Sequence, residues 1–243
     1  MKRFLRTFGL AASVMLVGQS VWAYDAKIDG IFYDFSGTNA TVTYASYNSY
    51  SGDVSIPQSV TYDGTTYSVT DIGIRAFYKC TGLTSIKIPS SVTSIDAGAF
   101  YGCTGLTSIE IPSSVTSIGI QAFQQCTSLT SIEIPSGVTN IGDYAFRGCK
   151  GLTSVDIPSS VTSIGKYAFQ GCTGLTSIEI PNGLTSIGNY AFRGCTGMTS
   201  IEIPSSVTSI GDWAFEAIKN VIYSGTAEGS PWGALTVNGM MDG

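Results

Sequence analysis

Cys103-Thr-Gly-Leu-Thr-Ser-Ile-Glu-Ile-Pro-Ser-Ser-Val-Thr-Ser-Ile-Gly-Ile-Gln-Ala-Phe-Gln-Gln125 is one coil of a repeat, and Cys126 begins the next. Cysteine recurs every 23 residues at Cys80, Cys103, Cys126, Cys149, Cys172 and Cys195. Phenylalanine keeps the same step from Phe77 to Phe215, and proline from Pro89 to Pro204. Within the quoted coil, Ile109 and Ile111 alternate with polar residues, the period of a strand with one buried face. Pro112 has no N–H to donate and ends that strand. A second extended piece buries Val115 and Ile118. Ala122, Phe123 and the cysteine then turn the chain back, through what reads as a short helical or 3-10 turn. No single coil can bury Leu106, Ile109, Ile111, Val115, Ile118, Ala122, Phe123 and Cys126 alone, so the stack is the folding unit.

A fixed period of this length containing Leu-x-x-Ile-x-Ile is the pattern of a leucine-rich repeat. The expected fold is a β-rich α/β-type repeat solenoid: a right-handed leucine-rich repeat solenoid of about seven 23-residue coils, with a parallel concave sheet, short helical or 3-10 turns, and β-structured caps. Residues 24–53 alternate aromatic and polar positions and read as an N-terminal β cap. The solenoid is placed at residues 54–223, with a hairpin inserted at 60–68 around Asp63-Gly64, a dipeptide suited to a two-residue turn. Residues 224–243 read as a C-terminal cap or tail that lays Trp232 over the last coil. The repeat fails after Gly225, and the open-ended close suggests a longer natural chain.

Residues 1–23 carry Lys2, Arg3 and Arg6, then an apolar stretch, then Val21-Trp22-Ala23. This is the three-part pattern of a secretory signal, with an apolar core too short to span a bilayer, and it predicts cleavage after Ala23. No later segment is long and apolar enough to insert into a membrane. Removing the signal takes three of the 12 basic residues and none of the 17 acidic ones. The acidic chain that remains argues against nucleic acid as a partner. The sequence contains no histidine, which excludes imidazole-based triads. No phosphate-binding glycine loop is present, and no cofactor or catalytic residue is assigned.

The pattern Leu-Thr-Ser-Ile-x-Ile-Pro-x-x-Val-Thr-x-Ile-Gly-x-x-Ala-Phe-x-x-Cys resembles the BspA-like leucine-rich repeats of bacterial surface proteins, over Val54 to Tyr223. The resemblance implies surface display and adhesion to host or neighbouring-cell proteins, without a motif for any one ligand. Asp96, where other coils carry glycine, and Ile218, in place of the next cysteine, are its small departures.

In a stack of like coils each surface position becomes a column with members about 4.8 Å apart. Between the two strand isoleucines lie Lys87, Glu110, Glu133, Asp156, Glu179 and Glu202. The five carboxylates repel one another by about 1 kcal/mol per neighbouring pair at water-like screening. They either attract a basic peptide, a cationic surface or Ca²⁺, or simply keep the sheet soluble, which is the favoured reading. The column before Ala-Phe holds Tyr144, Tyr167, Tyr190 and Trp213, with Arg147 and Arg193 beside it. These residues form either a platform for sugars or protein loops, or a self-supporting ladder, again the favoured reading. The six cysteines share one inward position and read as buried thiols filling a column, because parallel Cβ atoms about 4.8 Å apart are too wide for a disulfide.

The sequence thus points to a non-enzymatic secreted or cell-surface binding module for an extracellular or surface protein. A passive spacer projecting another domain is the alternative.

Overall fold

A computed structural model describes residues 24–223, 225–227, 232–234 and 236–238. The signal-peptide reading at 1–23 lies outside the described residues.

The N-terminal part is a small sheet of β1 (Ala26–Ile28), β2 (Ile31–Ser36) and β3 (Asn39–Thr43), paired antiparallel in that order. Next come β4 (Gly52–Ser55), β5 (Ser59–Tyr62) and β6 (Thr65–Ile72). β5 and β6 form an antiparallel hairpin whose ends, Tyr62 and Thr65, flank Asp63 (φ 47°) and Gly64 (φ 72°). Both turn residues have positive φ, as a turn matched to strand twist requires. β3 then pairs parallel with β6, which joins the cap to the stack.

From there the chain builds two rows of short parallel strands. One row contains β7 (Leu83–Lys87), β10 (Ser131–Glu133), β12 (Ser154–Asp156), β15 (Ser200–Ile203), β17 (Asn220–Tyr223) and β18 (Thr236–Asn238). β4 pairs with β7, β10 with β12, and β15 with β17. A bridge between Lys87 and Glu110 carries the row across the coil between β7 and β10. The other row contains β8 (Ser94–Ile95), β9 (Ser117–Ile118), β11 (Asn140–Ile141), β13 (Ser163–Ile164), β14 (Ser186–Ile187) and β16 (Ser209–Ile210). β6 pairs with β8 and β8 with β9; β11, β13, β14 and β16 pair successively. In the second row every pair sets equivalent residues opposite each other, Ser163 against Ser186 for instance, so there the 23-residue step is also the ladder register.

The third side of each coil differs from expectation. Among the described residues there is no helix or 3-10 segment. The return path is a chain of hydrogen-bonded turns in which alternate N–H groups face opposite ways. The N–H of Ala122, Gln124 and Cys126 donate within the coil to the carbonyls of Gly119, Gln121 and Phe123. Those of Gln121, Phe123 and Gln125 donate to Asp143, Ala145 and Arg147 of the next coil, at 2.8–2.9 Å. A helix would spend every N–H internally, whereas this path keeps half of them for stacking.

The interior is a set of columns. The rings of Phe77, Phe100, Phe123, Phe146, Phe169, Phe192 and Phe215 stack face to face, with centroids 5.0–5.9 Å apart. Tyr50 closes the Phe77 end at 4.6 Å, and Trp232 stands edge-on to Phe215 at 6.4 Å. The Trp232 carbonyl accepts the Phe215 N–H, where a further alanine would otherwise do so. Beyond Gly225, where the 23-residue repeat fails, the sheet continues. β18 adds one more parallel strand to β17 only 16 residues on, Thr236 opposite Asn220, so the path is shortened rather than abandoned.

Candidate functional surfaces

All members of the acidic row, Glu110, Glu133, Asp156, Glu179 and Glu202, are exposed on the outer side of the first strand row. Glu133 lies directly opposite Asp156, and Lys87 opposite Glu110, so one end of the row is charge-balanced and the rest is not. At the other end Glu202 faces Ile222, which is itself exposed. Hydroxyls organise the same face: Thr130 and Thr153 donate from Oγ1 to the carbonyls of Thr107 and Thr130. Asp53 accepts from Thr84 and Ser85 at 2.8 and 2.7 Å, which holds its carboxyl below the usual range. No group of three or more His, Cys, Asp or Glu side chains is arranged to hold a metal ion among the described residues.

The aromatic column lies on the turn side, so the structure does not bring it together with the acidic row. Tyr144, Tyr167 and Tyr190 stack at 4.9 and 4.8 Å with ring planes 9° apart. Their faces are therefore turned on one another, and solvent meets the ring edges and hydroxyls. The Arg147 guanidinium lies over Tyr144 at 5.7 Å and that of Arg193 over Tyr190 at 5.5 Å. Both arginines also reach along the stack: Arg147 Nε donates to Gln170 Oε1 at 2.7 Å, and Arg193 Nε pairs with Glu216 Oε2. Trp213 is 52% exposed.

The backbone under this column was not legible in the residue types. Gln121, Tyr144, Tyr167, Tyr190 and Trp213 all have φ between 57° and 60°, the left-handed region. For a bulky side chain that conformation is an outlier costing roughly 1–2 kcal/mol. The one sequence clue was Gly98, the member of the column that adopts φ 63° freely.

Sequence reasoning also passed over a second aromatic group. Tyr44, Tyr47, Tyr78 and Tyr101 follow one another at 6.1, 4.7 and 4.9 Å, with Arg75 and Lys79 over the Tyr78 ring. Reading the position after each phenylalanine, as was done for Arg147 and Arg193, would have revealed Tyr78 and Tyr101.

The six thiols are free and buried. Cys103, Cys126, Cys149, Cys172 and Cys195 each donate to the carbonyl of the phenylalanine 26 residues earlier, at 3.0–3.2 Å. Burial pushes every one of them up, Cys149 and Cys195 to about 12.

Two rows of parallel strands, a turn side without helices and a leucine-bearing core define a leucine-rich repeat solenoid. A family model of the BspA-type leucine-rich repeat region matches in 6 copies, over residues 43–176 and 162–226, and the chain belongs to that family. It is similar to a leucine-rich repeat protein from Bacteroides ovatus, with 35% identity, a TM-score of 0.66, and coverage of 82% of this chain and 59% of that one. It thus spans less than two thirds of that protein. The leucine-rich repeat protein of T. pallidum shares 30% identity, with a TM-score of 0.68 over 77% of this chain and 86% of that one. A leucine rich cell surface protein from Faecalibacterium prausnitzii shares 27% identity, with a TM-score of 0.51 and coverage of 81% and 75%. No curated protein sequence matches the chain.

Proposed function

We propose that the chain is a non-enzymatic binding module, exported by a signal cleaved after Ala23 and secreted or held at the cell surface, that engages extracellular or surface proteins. The carrying observation is the tyrosine column. Stacking adds about 0.5–1.5 kcal/mol per aromatic pair. The left-handed backbone costs roughly 1–2 kcal/mol per residue, a strain that glycine would escape, and this offsets a large part of what the stacked rings contribute. Three consecutive coils nevertheless carry Tyr144, Tyr167 and Tyr190, flanked by Arg147 and Arg193. Contact hot spots are enriched in these residue types. Membership of a family with a cell-surface relative supports the same reading.

The test replaces Tyr167 and Tyr190 by glycine and measures thermal unfolding beside retention of extracellular-matrix proteins. The reading expects a midpoint close to that of the parent and loss of retained protein. A large drop in midpoint with retention intact would make the column a structural ladder. A passive spacer is the second reading, favoured by the unbroken phenylalanine stack; it expects no protein to be retained by the parent chain.

A further inference from the structure

Beside the tyrosine ladder runs a shallow recess of about 280 Å³. Its floor is Gly148, Gly171 and Gly194 and its cationic walls are Arg147, Lys150 and Arg193, with Gln125 and Gln170 completing it. We propose that this recess is a docking groove for an extended acidic peptide segment of a partner protein. The proposal rests on the binding-module reading above and names the chemistry that one edge of the module recognises.

The groove exists because one surface column changes along the stack. Its members are Lys79, Gly102, Gln125, Gly148, Gly171, Gly194 and Ala217, all with positive φ. Where the side chain is long it fills the column: a Cβ on Gly148 would come within 2.3 Å of Gln125 Nε2. Beyond that point the space opens. A Cβ on Gly171 or Gly194 would find nothing in the neighbouring coil closer than 3.9 Å. Three successive glycines therefore leave a trough along the stack, stopped at one end by Gln125.

Three cations line this trough in a chain with five more acidic than basic residues. The arginines are preorganised. Each has its Nε engaged along the stack, with Gln170 or with Glu216, and its guanidinium held over a tyrosine ring. Their terminal Nη groups are left as donors, and a guanidinium fork suits a carboxylate. Lys150 is exposed and adds a further positive charge beside Arg147, whereas part of the charge of Arg193 is balanced by Glu216.

Spacing selects the peptide. Arg147 and Arg193 are two coils apart, about 9.6 Å at the spacing of a β ladder. In a polyproline II helix, side chains three residues apart lie on the same side and are about 9.3 Å apart. In a flat strand the same-face repeat is about 6.7 Å. Carboxylates three apart on a polyproline II segment therefore match the arginine spacing to about 0.3 Å, whereas alternate residues of a strand miss it by about 3 Å.

The experiment measures binding of the full chain to two synthetic peptides of equal charge and composition, Pro-Glu-Pro-Pro-Glu-Pro-Pro-Glu-Pro and Pro-Glu-Pro-Glu-Pro-Glu-Pro-Pro-Pro, with heparin as competitor. The three-apart peptide should bind at least tenfold more tightly. Lys150→Gln should weaken it severalfold, and Gly171→Asn, which tolerates positive φ and fills the trough, should abolish it. Circular dichroism and the melting midpoint identify any variant that has lost its fold. Equal affinity for the two peptides, indifference to both variants, or heparin bound more tightly than either peptide would overturn the groove as a peptide site. If matrix proteins are still retained in that event, the module reading stands and only the groove fails.

Discussion

At the scale of single residues, the turn side concentrates what is unusual in this chain. Gln121 sits at φ 60° at the head of the aromatic column, one coil before Tyr144, and does not take part in the ring stack that begins there. Glycine there escapes roughly 1–2 kcal/mol of left-handed strain and loses about 0.5–1 kcal/mol to chain entropy. Gln121→Gly should therefore stabilise by about 0.5–1 kcal/mol, raising the melting midpoint by a few degrees; a lower midpoint would contradict the strain argument. The buried thiols give a prediction of opposite character. Their folded-state values are raised, to about 12 for Cys149 and Cys195, while an unfolded thiol ionises near 8.5. A raised acid stays neutral in the fold, so its contribution is fully present below about pH 8.5 and is lost as pH climbs toward 12. Urea midpoints should hold from pH 7 to 8 and fall steadily above pH 9, by up to about 1.4 kcal/mol per pH unit for each thiol. A flat profile to pH 11 would mean that the thiols are not buried. Iodoacetamide at pH 8 should label none of the six in the native chain and all six in denaturant, read by mass.

At the scale of the element, the coil divides into what its sequence states and what it conceals. Leu106, Ile109, Ile111, Val115, Ile118, Ala122, Phe123 and Cys126 are all buried, so the interior could be read residue by residue from the period. The Asp63-Gly64 turn was equally open, because only a few residue types accept two positive φ values in succession. The return path was not. Tyrosine is a poor left-handed residue, and its stacking partners lie 23 residues away, so no local rule anticipates its conformation. The acidic row was legible as a column, but not its separation from the aromatic column, which depends on the path the turns take. The second strand row shows why its glycines matter. A Cβ on Gly188 would stand 2.6 Å from the Lys166 nitrogen and 2.7 Å from the Gly165 carbonyl carbon, both backbone atoms of the preceding coil. No rotamer relieves that clash. Gly188→Ala should destabilise by about 1–3 kcal/mol through forced separation of the coils, and hydrogen exchange should quicken first at β13 and β14. Unchanged protection there would show that the coils can slide apart freely.

At the scale of the whole molecule, stability is a sum over coils and the faces between them, so interior coils and end pieces should respond differently to loss. Removing residues 127–149, one full period, joins Cys126 to Lys150 at equivalent points of the coil. Phe123 N–H can then donate to Ala168 as it now does to Ala145, and the Phe123 ring can stack on Phe169 as it now does on Phe146. The shortened chain should fold with the same parallel-sheet circular dichroism, one coil and one interface less stable. Trp232 has no such substitute. It is buried, stands edge-on to both Phe215 and Tyr223, and supplies the carbonyl that the Phe215 N–H requires. Trp232→Ala removes the rings' cover and should cost about 3–5 kcal/mol, as large-to-small changes at buried aromatics do. Hydrogen exchange should show that loss as opening of β15, β17 and β18, with β8 and β9 left protected, whereas the coil deletion should leave protection at both ends alike. If Trp232→Ala instead lowered protection evenly along the stack, the coils would be cooperating as one unit and the nearest-neighbour account of this solenoid would have to be abandoned.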